Sequence, residues 1–290
     1  MSRRIQISRN RSISHYVGVY VGRFRDIFSE ELFCLRIPPN LLTILGVLCT
    51  MFAFYFLVGG AGDRIGRKNR TEMPAYVNES ISSDISASMA GIYAGVLIFI
   101  AGMFDIMDGA VARRANRVSR LGAFLDSCFD RISDGLIFLG IMIYYLQHRE
   151  IRYAHWYAIL SVTALFHAEL ISYVKARAEN FIPDCRVGYW QRGERIGAVL
   201  VGLFCGHIET AVAVLAIFPF FTVMRRVVFA VRQITGASHR GLSVSFRETD
   251  PSKDIPLKYF IRGSWGYDLM TIINLVLIIF IDIRVFHVFG

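Results

Sequence analysis

The chain has 290 residues, 54% of them hydrophobic, and a formal net charge of +9. Its apolar residues fall in blocks of about 20, enough to cross a bilayer core, which excludes a soluble binding module. The basic residues lie between these blocks, so the positive charge reads as loops facing cytoplasm and anionic lipid and not as a nucleic-acid surface.

Residues 1–36 are polar and basic, with Val17, Val21, Phe24 and Phe28 at helical spacing. This predicts an amphipathic helix in the cytoplasmic interface. The N-terminus lacks a short apolar core with a small-residue cleavage site, so no cleavable signal is expected. Pro38-Pro39 opens a first span over 40–58. A polar loop follows over 59–88, an extracytoplasmic insertion with N-x-S/T matches at Asn69 and Asn78; such matches are common by chance. Further spans are predicted over 89–107, 122–146 and 154–174. A fifth and sixth share 196–224 around a break at 205–209, and each half is short enough that Glu194 and Arg195 must extend the helices. A seventh apolar run, 269–283, is short for a full span.

The expected fold is all-α. It is a polytopic membrane bundle of six core helices, with an N-terminal interfacial helix and a seventh apolar helix that spans or lies at the interface. The domains are a segment 1–36, a transmembrane domain 37–235 and an extension 236–290. Arginines crowd the N-terminus, the 113–120 turn, the 175–192 stretch and the residues after 224, so the N-terminus is placed in the cytoplasm. The five cysteines show no CxxC pairing, and neither a zinc site nor a disulfide framework is suggested.

The informative segment runs from Asp105 to Asp130. Asp105 and Asp108 are i,i+3 on one helix face, and Asp126 and Asp130 are i,i+4 on another. Two helices packed side by side would gather four carboxylates, whose repulsion calls for protons or cations. An all-oxygen set favours a hard cation such as Mg²⁺ or Mn²⁺ over zinc. Gly109 and Gly122 allow close approach to the acids. Such a site suits a pyrophosphate substrate, with one acid free to take a proton from an attacking hydroxyl. Asp134, one turn after Asp130, either hydrogen-bonds within the site or pairs with Arg131.

The pattern D-x2-D-G-x2-A-R-x8-G-x3-D-x3-D, complete from Asp105 to Asp130, resembles the signature of the CDP-alcohol phosphatidyltransferases. The likeness covers about residues 30–235. It implies six core helices, a homodimer, a cavity open to cytoplasm and bilayer, and transfer of a phosphatidyl group from a CDP-linked lipid to an alcohol, releasing CMP. It also implies metal on Asp105, Asp108 and Asp126, with Asp130 contributing to the metal site and acting as general base. Gly109, Ala112 and Arg113 would border the nucleotide, joined by Pro39, Asn40 and Thr43, which resemble the family's P-N-x-x-T entry.

Two basic segments bear on the acceptor: Ser172-Tyr-Val-Lys175-Ala-Arg177-Ala-Glu179 and Gln191-Arg192-Gly-Glu194-Arg195. They resemble stretches of the phosphatidylinositol phosphate synthase branch and its archaeal ether-lipid counterparts, with Gln191 where an acid is common. This implies inositol 1-phosphate as acceptor, its phosphate held by Lys175, Arg177, Arg192 and Arg195, since arginine suits bidentate phosphate contact. Glycerol 3-phosphate is the alternative, with free inositol or serine behind it. A carboxylate-lined cation transporter is the non-enzyme alternative.

Overall fold

The computed structural model describes residues 13–34, 38–59, 89–115, 119–149, 151–239 and 265–281, and within them all side chains except those of 13–18, 21, 24, 89, 237–239 and 265. These residues form eight helices and no strand: α1 (Ile13–Cys34), α2 (Pro39–Gly59), α3 (Met89–Arg114), α4 (Arg120–Gln147), α5 (Ala154–Ala178), α6 (Arg192–Cys205), α7 (Ile208–His239) and α8 (Trp265–Phe280). Residue 59 of the predicted 59–88 loop closes α2, and 60–88 lie outside the described residues, as do 116–118 of the 113–120 turn and 240–264 between α7 and α8. The helix expected near the N-terminus is present as α1, although the side chains of Val17, Val21 and Phe24 lie outside the description.

Local chemistry sets the ends. Proline at the first position of α2 loses nothing there, because that N–H has no intrahelical partner. The Ser119 hydroxyl accepts from the Gly122 amide at 2.9 Å and caps α4. Gly206, at φ 81°, closes α6 in the left-handed conformation that glycine takes without penalty. The predicted 205–209 break is this turn, and α6 begins at Arg192, so Glu194 and Arg195 are helical.

Among the described residues, four helices are long and apolar enough to cross a membrane: Pro39–Gly59, Ala90–Arg114, Ala154–Ala178 and Ile208–Gly236. The six-plus-one expectation is met only in this coarser form. α4 has the length, 28 residues or about 42 Å, but Asp126, Asp130, Arg131 and Asp134 charge its first half. α6 has 14 residues and α8 has 16. Large apolar side chains such as Phe52, Phe99, Phe166 and Phe221 are more than half exposed. Such a surface suits lipid, not water.

The acid-bearing helices α3 and α4 were expected to pack side by side. They are joined chiefly through α2, which lies along both. Small residues make this possible. A Cβ on Gly46 would meet the Ala101 carbonyl at 3.4 Å, and one on Gly140 would meet Leu57 Cδ1 at 3.0 Å. α7 packs along α5 and against α6. It is the most enclosed span, 56% buried over its apolar window against 28% for α2 and α3. The core gathers there: Ile137, Phe138, Ile141, Tyr144 and Tyr145 of α4 meet Tyr157 and Ala168 of α5, and Val212 and Leu215 of α7.

Candidate active site

Asp105 and Asp108 lie in the last third of α3, Asp126 and Asp130 in the first turns of α4. Asp105, Asp108 and Asp126 each offer a carboxylate oxygen, all within 4.8 Å of one another. Three hard oxygen donors so close repel unless a cation sits among them, and the set fits a divalent ion of the Mg²⁺ or Mn²⁺ type. Asp108 is buried, and the Thr43 hydroxyl of α2 donates to its Oδ2 at 2.6 Å. Thr43 thereby ties the start of α2 to the trio.

Asp130 does not join that trio. Its Oδ1 lies 2.8 Å from Nη1 of Arg192, and the same nitrogen donates to Asp105 Oδ2 at 2.7 Å. Arg192 therefore links the two acid-bearing helices. Arg195, only 2% exposed, donates through Nη2 to Asp134 Oδ2 at 2.7 Å and through Nη1 to the Trp190 carbonyl at 3.3 Å. A buried pair of this kind holds only because each charge has its partner. Helical spacing prepares the match: Arg192 and Arg195 are i,i+3 on α6, Asp130 and Asp134 i,i+4 on α4.

A cavity of about 280 Å³ opens beside these pairs. That is at the small end of ligand sites, which run roughly 300–1,000 Å³, and it suits a small polar molecule better than a lipid. Its lining includes the acids Asp126, Asp130 and Asp134 and the cations Arg131, Lys175, Arg192, Arg195 and Arg226. Five cations against three acids favour an anionic ligand. Lys175 is half-buried, with Nζ 3.9 Å from Glu179. Arg177 is not brought to the cavity: it is exposed, with its guanidinium over the Phe181 ring at 5.7 Å. One residue along a helix turns the side chain by about 100°, so Lys175 and Arg177 cannot share a face.

The residues expected around the nucleotide sit beside the acid trio and do not line this cavity. Pro39 and Asn40 open α2, and Asn40 is exposed. Gly109, Ala112 and Arg113 follow Asp108 on α3. A Cβ on Gly109 would lie 3.3 Å from Arg113 Nη1, so the bare backbone lets that guanidinium fold back over it.

Sequence reasoning undervalued two charges. Asp134 pairs with Arg195 and Arg192, not with Arg131, which turns back to the Ser127 carbonyl. Arg226, assigned by sequence only to the loop charges, is 3% exposed and donates to the Val187 carbonyl at 2.8 Å and the Ile171 carbonyl at 2.7 Å. Its signal was present, an arginine pair, Arg225 and Arg226, between the apolar stretches 210–224 and 227–231 of one helix. His207 and Glu209 serve packing: His207 Nδ1 donates to the Ile278 carbonyl at 2.9 Å, and Glu209 accepts from the Tyr145 hydroxyl at 2.7 Å.

The sequence profile of the CDP-alcohol phosphatidyltransferases matches residues 36–239. The chain belongs to that family. It is an enzyme of this class and a multi-pass membrane protein. Among relatives, archaetidylinositol phosphate synthase of Methanothermobacter thermautotrophicus is 35% identical over 155 residues, covering 51% of this chain and 74% of that one. The synthase of the same name from Pyrococcus horikoshii is 28% identical over 206 residues, 71% of this chain and 89% of that one. Among solved structures, the phosphatidylinositol phosphate synthase of Mycobacterium tuberculosis, in complex with manganese and citrate, shares the fold. Its TM-score is 0.56 at 23% identity, covering 71% of this chain and 88% of that chain. In the phosphatidyltransferase described here, the profile match takes in α2 to α7 and with them both the acid trio and the basic wall of the cavity.

Proposed function

We propose that this phosphatidyltransferase joins a CDP-linked lipid to inositol 1-phosphate and releases CMP. The observation that carries the reading is a small cavity lined by three carboxylates and five fixed cations. A phosphomonoester needs such cations, and a neutral alcohol does not. The names of the archaeal and mycobacterial relatives point the same way.

Asp105, Asp108 and Asp126 hold a divalent cation, Mg²⁺ or Mn²⁺, with Asp130 at its edge. When bound there, such an ion draws on the pyrophosphate oxygens and offsets the charge of the departing nucleotide. Gly109, Ala112 and Arg113, with Pro39, Asn40 and Thr43, border the cytidine end of the lipid donor. Lys175 and Arg195 bind the acceptor phosphate, joined by Arg192 and by Arg226, which completes the basic wall. Asp130 takes the proton of the acceptor hydroxyl. The freed oxygen bonds to the lipid-side phosphorus, the bond from that phosphorus to the bridging oxygen breaks, and CMP leaves with that oxygen.

The catalytic domain is 37–235, flanked by 1–36 and 236–290. Helices α2 to α7 form the six-helix core, α1 lies in the interface and α8 is the seventh helix. The loop charges support an N-terminus and active site facing the cytoplasm, and the family supports a homodimer. Glycerol 3-phosphate would satisfy the same cations and is the runner-up.

The test is purified protein with CDP-lipid and a panel of free and phosphorylated alcohols, following CMP. Release is expected with phosphorylated acceptors, fastest with inositol 1-phosphate. Equal release with free inositol would refute the acceptor assignment.

A further inference from the structure

The family match ends at residue 239, and α8 comes after it. Much of α8 is exposed and apolar, as at Leu269, Ile273 and Phe280. One face is different: Tyr267, Asp268 and Asn274 are at most 9% exposed. Polar groups buried on a membrane helix are costly unless hydrogen-bonded, so this face has a defined docking partner.

That partner is the start of α6. The Tyr267 hydroxyl donates to Glu194 Oε1 at 2.5 Å, and the Tyr189 hydroxyl donates to Thr271 Oγ1 at 3.1 Å. The Tyr189 and Tyr267 rings lie 5.1 Å apart, and Tyr189 meets Trp190 edge-on at 5.0 Å. Glu194 sits between Arg192 and Arg195, and the Trp190 carbonyl accepts from Arg195. The cap residue of α6, Gln191, makes no side-chain capping bond. The turn that presents both arginines is thus fixed from outside its own helix. At its far end α8 is fastened separately, where the Thr210 hydroxyl donates to the Ile281 carbonyl at 2.7 Å.

We propose that α8 is a positioning element of the acceptor site: Tyr267 and Thr271 hold the 189–195 turn so that Arg192 and Arg195 meet the acids and the acceptor phosphate. In its effect on acceptor use, this rests on the reading that the basic wall binds a phosphorylated alcohol.

The test uses the full-length chain in detergent with Tyr267→Phe, Thr271→Val, their double variant, and Thr210→Val, which loosens only the far end. Tyr267→Phe and Thr271→Val should each raise the KM for inositol 1-phosphate about tenfold, the effect of losing one well-placed hydrogen bond. The KM for CDP-lipid should stay within twofold, and Thr210→Val should change neither. Without substrates, backbone amides of 190–196 should exchange about tenfold faster in the double variant and at the native rate in Thr210→Val. Unchanged exchange in the double variant, equal acceleration by Thr210→Val, or acceptor and lipid KM rising together would overturn the proposal. If the native enzyme releases CMP only with unphosphorylated alcohols, the acceptor reading falls, and the exchange comparison alone decides the role of α8.

Discussion

Asp130 stands between the acid trio and the basic cavity, its Oδ1 on the Arg192 guanidinium. As the general base it contributes chemistry, not affinity. Asp130→Asn should therefore lower CMP release by about 10²–10⁴-fold while CDP-lipid binding is retained; full turnover in that variant would contradict the role. The Arg195–Asp134 pair behaves differently, because both side chains are almost wholly enclosed, at 2% and 4% exposure. Removing one partner strands a buried charge. Arg195→Gln should cost about 3–5 kcal/mol of stability, read as a fall in Tm in detergent. Adding Asp134→Asn should recover part of that loss, whereas additive losses would show that the two side chains are not coupled. At this scale the sequence disclosed the four motif acids, whose spacing within each helix is local. It did not disclose which acid each arginine faces.

The helices set the distance between the acid pairs. α2 lies along both α3 and α4, and its contact with α4 depends on a backbone without a side chain at Gly140. Gly140→Val would press on Leu57 and Phe54 and push α2 and α4 apart. A displacement of about 1 Å at catalytic groups can cost about 10²-fold in rate. Loss of activity together with weaker Mn²⁺ binding, at an unchanged fold by circular dichroism, is the expected result; native Mn²⁺ affinity would show that α2 does not set the spacing. Hydropathy found the apolar helices, and α4 covers the span expected over 122–146 although the site places charges in it. The short α6 was predicted to need Glu194 and Arg195, and its true start at Arg192 brings both arginines into the first turn.

Across the whole molecule, an apolar exterior surrounds a charged, partly enclosed interior. Exhaustive chelation with EDTA should reduce CMP release to background, and Mg²⁺ or Mn²⁺ should restore it. Undiminished activity after chelation would show that the trio of Asp105, Asp108 and Asp126 does not work through a metal. The sequence by itself determined the membrane class, the helical fold and the acid motif, because hydropathy over about 20 residues and helical periodicity over four are short-range properties. Only the tertiary structure decided that Arg195 takes Asp134, that Lys175 and not Arg177 reaches the cavity, that Arg226 is a buried wall residue, and that α8 docks on α6. The Arg195–Asp134 pair, the Arg226 bonds and the docking of α8 join residues tens of positions apart in the chain. Helix packing, which no local pattern encodes, places them together.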